Sequence, residues 1–273
     1  MIVAELRKLV RRPRTWVSIG LLCALPTLVA VFLAVTDVGP EPGQEPAFLA
    51  AVLSNGALYP AATLAIVLPI FLPVVVAVLA GDAVAGEAGS GMLRYLLIRP
   101  VSRTRLLVAK LVALMVFVLV AVVSVAGTGY LVGVSLFEAE PGAVTVTVNS
   151  VSGVPMSRTE LFVRIAAAML YIGVSMLGVG AIALFLSTVT ESPLAAAMGA
   201  LAAMVTSQVL VTLDAAGAVR PYLPTRYWLA WIDLFRDPIA WRDVERGLGI
   251  QAVYVAVFLA AAWANFATKD VKT

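Results

Sequence analysis

The residues able to do chemistry gather in two short stretches of an otherwise apolar chain. One is 1–14, with Arg7, Lys8, Arg11, Arg12 and Arg14; the other is 81–106, with Asp82, Glu87, Arg94, Arg99, Arg103 and Arg105. Guanidinium, ammonium and carboxylate groups so arranged suit ionic contacts with a partner or an anionic surface. They do not assemble a nucleophile with its base. With no His and the single cysteine Cys23, the sequence excludes an intrachain disulfide, a Cys/His zinc site, a His general base and a His-ligated haem. Gly86 and Gly91 have the glycine spacing of a phosphate-binding loop, but Met92 stands where that loop requires Lys, and no soluble strand precedes it. The chain does not bind ATP through that motif.

The elements that must position these charges are membrane helices. Of 273 residues, 62% are hydrophobic and 13% charged, with a mean hydropathy of +1.00, which leaves too little polar surface for a water-facing globule. The excess of 19 Lys+Arg over 16 Asp+Glu is small and predicts no nucleic-acid partner. Apolar stretches long enough to cross about 30 Å of hydrocarbon fall at 15–36, 58–79, 106–136, 161–187, 193–213 and 248–267. The first outruns a signal-peptide apolar core of about 7 to 15 residues and is expected to be a retained span. The fold class is therefore an all-α polytopic membrane protein with six transmembrane helices, read as one domain over 1–273.

Twelve of the 19 basic residues fall on one side of these spans, and the loop after the first span carries Asp37, Glu41 and Glu45 without a basic residue. The positive-inside rule then places both termini and the 80–105 loop in the cytoplasm. No span has an ionisable residue in its central part, which argues against a proton- or sodium-coupled carrier. Ser124, Thr128, Ser175, Thr206, Ser207 and Gln208 are expected to be satisfied by hydrogen bonds within and between helices. Pro69 and Pro73, one turn apart, permit a bend in the second span.

Ile2, Val3, Leu6, Leu9 and Val10 recur at helical spacing among five basic residues, predicting an amphipathic interfacial helix over 1–14 beside anionic lipid. In the cytoplasmic loop, Leu93, Leu96 and Leu97 mark one face of a short helix that Pro100 stops, and Ser102 is placed to cap the third span. Outside, 137–160 includes an alternating run from Val144 to Val148 that reads as a strand. The segment 214–247 mixes Tyr222, Tyr227, Trp228, Trp231, Phe235 and Trp241 with charges, which suits short interfacial helices.

The loop resembles that of type-two ATP-binding-cassette exporter permeases. The resemblance is carried by Gly86-Glu87, Gly91-Met92-Leu93, Leu96-Leu97, Arg99-Pro100-Val101-Ser102-Arg103 and Lys110, and supported by the basic amphipathic start, the six spans and Asp270-Val271 at the end. Met92 departs from the usual Thr. The resemblance implies a bacterial plasma-membrane permease subunit that pairs with a second permease copy or a related permease, and with separate nucleotide-binding ATPase subunits. ATP and Mg would belong to those subunits and no cofactor to this chain. The loop helix would be the coupling helix, with Asp82, Glu87, Arg94, Arg99 and Arg103 facing the ATPase and Glu87 opening the helix. Arg7, Lys8, Arg11, Arg12 and Arg14 would lie at the membrane interface, and re-entrant helices would close the outer side between spans five and six. Permeases for ion efflux or metalloenzyme maturation share such a loop; a secondary transporter, a channel or a membrane enzyme is a weaker alternative.

Overall fold

The computed structural model describes residues 1–36, 58–89, 103–137, 148–150, 152, 154–213 and 216–268. Helix α1, Ile2–Arg11, ends because Arg12, extended at φ −81° and ψ 119°, precedes a proline, and that position disfavours the helical region. Pro13 then opens α2, Pro13–Thr36, where its missing N–H is no loss. One Arg-Pro step thus makes the corner between α1 and the first span.

The second span is two helices, α3 (Tyr59–Val67) and α4 (Phe71–Gly89), separated by a turn at residues 68–70. Pro69 and Pro73 lack the N–H groups a continuous ladder would need. The expected span of 58–79 is corrected in a second way as well. The helix continues to Gly89, so Asp82 and Glu87 belong to a span-forming helix and not to a loop beginning at residue 80. Gly81 makes this packing possible, since a Cβ there would stand 2.9 Å from the Ala197 amide nitrogen of a neighbouring helix.

Helix α5, Arg103–Phe137, has 35 residues and is about 50 Å long, well beyond the hydrocarbon thickness. Two-residue strands β1 (Val148–Asn149) and β2 (Pro155–Met156) pair antiparallel. The strand expected over 144–148 otherwise lies outside the described residues. Helix α6, Arg158–Val189, starts at a Ser157 cap, whose hydroxyl accepts from the Glu160 amide at 3.2 Å, while the Glu160 carboxylate pairs with Arg164 one turn on. Helix α7, Pro193–Thr212, is capped by Ser192, which accepts from the Ala195 amide. The last helix, α8, spans Trp241–Thr268 and so begins seven residues before the expected 248.

Six helices, α2, α4, α5, α6, α7 and α8, are long and apolar enough to cross a membrane. Their exposed surfaces are apolar, with Leu21, Leu28, Leu131, Leu170 and Leu194 each more than 60% accessible, as lipid-facing or subunit-facing helices require. Inside, Trp231, Tyr59, Phe117 and Ile172 are sealed from solvent. Of the polar residues expected to bond within or between helices, Thr128 donates to Ser124 O (2.8 Å) and Ser175 to Tyr171 O (3.0 Å), whereas Ser207 meets Thr225 of a non-helical turn (2.7 Å).

Both ends of the described chain lie at one end of the bundle. Trp263 Nε1 of α8 donates to Thr104 Oγ1 at the start of α5 (2.9 Å), and Asn265 Nδ2 donates to Thr188 Oγ1 near the end of α6 (3.1 Å). Helix α1 packs against α5 at this same end.

Candidate functional site

Helix α1 places Glu5, Lys8 and Arg12 at successive intervals of three and four residues, which puts them on one side of the helix or its immediate end. That side faces the protein. Lys8 Nζ pairs with Glu87 Oε1, and Arg12 Nη1 reaches Asp82 Oδ2 at 2.8 Å. Arg14, from the first turn of α2, also pairs with Asp82 Oδ2. From α5, Lys110 Nζ lies 2.7 Å from Glu87 Oε2 and 3.6 Å from Glu5 Oε1. Four cations and three carboxylates thus join α1, the start of α2, α4 and α5.

The members are not equivalent. Glu87 is 3% exposed and Lys110 5%, so their charges are held out of water and each depends on the other. Leaving one buried partner alone costs about 3 to 5 kcal/mol. Glu87 also sits in the last turn of α4, where the helix dipole disfavours a carboxylate, and two ammonium groups offset that. Asp82 and its arginines are more accessible, with Arg14 at 44%, and exposed pairs of this kind contribute about 1 kcal/mol or less. Gly86 leaves room for the Asp82 carboxylate one turn away: a Cβ at Gly86 would lie 2.3 Å from Oδ1.

Between the two acids, α4 is fastened to α6 by one hydroxyl. Ser187 Oγ donates to Gly81 O (2.6 Å) and accepts from Val84 N (3.0 Å) and Ala85 N (2.9 Å). The stretch of α4 that carries the charge cluster is thereby fixed on three sides, by α1, α5 and α6.

The residues singled out from sequence divide into three groups. Asp82 and Glu87 come together with Lys8, Arg12 and Arg14. Arg7 and Arg11 remain exposed on α1. Arg103 opens α5, while Arg94, Arg99 and the expected coupling helix around 93–97 lie outside the described residues. The placement of Glu87 is corrected: it neither opens a short helix nor faces outward, but closes α4 and is buried among the chain's own cations. Glu5 and Ser187 were missed, and Lys110 was read only as part of a motif. The available signal was a Lys inside an apolar helix, which needs a carboxylate close by. Among the described residues no group of three or more Cys, Asp or Glu side chains is arranged to hold a metal ion.

In comparison with known protein families, residues 1–225 match the family described as ABC-2 family transporter protein. The chain belongs to this family. The match takes in every member of the charge cluster and five of the six membrane-capable helices. A search of curated proteins found no match. Membership makes this an ABC permease, a membrane component of a transporter that is generally not itself catalytic, and it implies work with ATPase subunits in a membrane. Two of the helices that carry the charge cluster, α4 and α5, flank segment 90–102 in the chain.

Proposed function

We propose that the chain is the transmembrane subunit of an ATP-driven exporter, working as a dimer with a second permease and driven by separate nucleotide-binding subunits that hold ATP and Mg. The end of the bundle carrying α1 is then the cytoplasmic face, and both termini are cytoplasmic, in keeping with the positive-inside count. Segment 90–102, with Arg94 and Arg99, is the docking element for the ATPase, and Arg103 begins the helix that leaves it. The observation that carries this reading is the family match over the charge cluster, because the buried Glu87–Lys110 pair joins the two helices between which the docking segment runs. A displacement imposed there reaches α4, α5 and, through Lys8, α1 together. Glu87 and Lys110 are accordingly positioning residues, not contacts to the ATPase.

The test is ATP turnover by the purified chain with and without its ATPase subunit. Turnover is expected only in the complex, and the chain should be labelled from opposite membrane faces at cysteines replacing Ala88 and Gly142 in a Cys23→Ser background. Stoichiometric nucleotide binding by the chain alone, or labelling of both sites from one face, overturns the proposal.

A further inference from the structure

A cavity of about 70 Å³ opens beside the charge cluster, between α1, the first turn of α2, α4 and α5. That is several times the space one water needs. Its lining is of two kinds. Glu5, Lys8, Arg12, Asp82 and Lys110 stand at one side, and Leu9, Leu79, Ala113 and Leu114 supply its apolar part. Thr15 also lines the cavity. It is 2% exposed, and its Oγ1 has no hydrogen-bond partner among the described residues. A buried hydroxyl without a partner is uncommon in a folded protein. This one is in the first turn of α2, where the helix dipole favours an anion.

The charges point the same way. The four cations of the cluster exceed its three carboxylates by one, so a single negative charge brings the cluster to neutrality. We propose that this cavity binds one anionic glycerophospholipid, with its singly charged phosphodiester among Lys8, Arg12 and the Thr15 hydroxyl and the start of an acyl chain against Leu9 and Leu79, which line the cavity and remain partly accessible. The apolar wall favours a lipid over free phosphate, because a soluble anion leaves that wall unfilled. The exposed apolar residues Ile2, Val3 and Val10 on α1 bring this rim to the headgroup level of the bilayer. The site shares Lys8 with the proposed coupling cluster but needs no ATPase, and it is read in the chain without any partner.

The experiment is native mass spectrometry of the full chain purified in detergent, titrated with dioleoylphosphatidylglycerol, dioleoylphosphatidylcholine, glycerol 3-phosphate and inorganic phosphate. One phosphatidylglycerol per chain is expected to bind about tenfold more tightly than phosphatidylcholine, as one charge-assisted contact set provides. Neither soluble phosphate should compete at equal concentration. Thr15→Val removes the hydroxyl at nearly constant shape and should weaken phosphatidylglycerol about tenfold. Arg12→Gln should weaken it similarly, whereas Arg7→Gln, the same charge change outside the cavity, should alter it less than about twofold. Equal binding of the two lipids, or equal losses from Arg7→Gln and Arg12→Gln, would reduce the effect to general surface charge and overturn the site. Competition by inorganic phosphate or glycerol 3-phosphate would show a free-anion site and overturn the lipid assignment, and unchanged binding by Thr15→Val would remove the argument from the buried hydroxyl.

Discussion

At one end of the bundle, α1 is joined to α4 and α5 by side chains of opposite charge; at the other, segment 216–240 is joined to α6 and α8 by side chains that donate to its backbone. Arg164 of α6, 7% exposed, donates from Nη1 to Leu234 O (3.0 Å) and Arg236 O (2.8 Å) and pairs through Nη2 with Glu160. Tyr171 OH donates to Tyr227 O (2.6 Å), and Gln251 Nε2 to Pro224 O (2.7 Å). The 3-10 helix Ala230–Phe235 then seats Trp231 and Phe235, 0% and 1% exposed, against α6 and α8. Carbonyl acceptors and ring packing define one position, because a hydrogen bond is lost beyond about 3.5 Å. Ion pairs weaken only gradually with distance. The difference teaches that segment 216–240 is held by contacts that define one position, whereas the ion pairs at the α1 end keep part of their attraction over a wider range of distances.

The comparison breaks first at Trp231. If segment 216–240 is fixed by packing, Trp231→Ala should cost about 3 to 5 kcal/mol, read as a lowered unfolding midpoint of the purified chain in detergent. A loss below about 1 kcal/mol would mean the segment is loosely seated. Next comes Lys110→Met, which takes the more buried of two ammonium groups away from Glu87 and should destabilise by about 3 kcal/mol. The double variant Glu87→Gln with Lys110→Met should recover most of that, since a neutral amide then replaces the carboxylate that lost its Lys110 partner. In the assembled transporter the same double variant should hold its ATPase yet transport less per ATP; full coupling would show that the pair serves stability only. Ser187→Ala follows, at about 1 to 2 kcal/mol for the lost bonds to α4, measured by the same unfolding midpoint and checked by faster amide exchange at Val84 and Ala85.

Sequence made the spans legible because twenty apolar residues in a row have few other places to go, but the helix read over 1–14 ran through the corner at Pro13, and the Ser157 cap that starts α6 before residue 161 went unread. It failed at residues 80–89. Gly81, Asp82, Gly86, Glu87 and Gly89 have the propensities of a loop, and the helix they form is held by tertiary contacts: Gly81 against Ala197, Ser187 on the backbone, and cations on both acids. The burial of Glu87 was hidden for a related reason, since Lys8 lies 79 residues away and pattern reading along the chain does not see such a pair. The outer aromatics were legible as a group but not in their place. Amphipathic composition suits an interface, whereas Trp228 and Trp231 are buried in the protein and only Tyr222 and Trp241 remain exposed.

The smallest effect is the most specific test of the ion pairs at the α1 end. Asp82 is shared by Arg12 and Arg14, and Arg14 is 44% accessible, so Arg14→Gln removes an exposed contact while Arg12 still holds the carboxylate. The expected loss is under about 1 kcal/mol. It should fade in 1 M salt, where the screening length falls to about 3 Å, whereas the loss from Lys110→Met should persist because salt does not reach a pair of side chains 2% and 4% accessible. Unfolding midpoints of the two variants at low and high salt therefore separate a graded cluster, soft at Asp82 and firm at Glu87, from a uniform one. If Arg14→Gln costs as much as Lys110→Met and is equally indifferent to salt, the cluster is as fixed as segment 216–240, and the contrast between the two ends of the bundle fails.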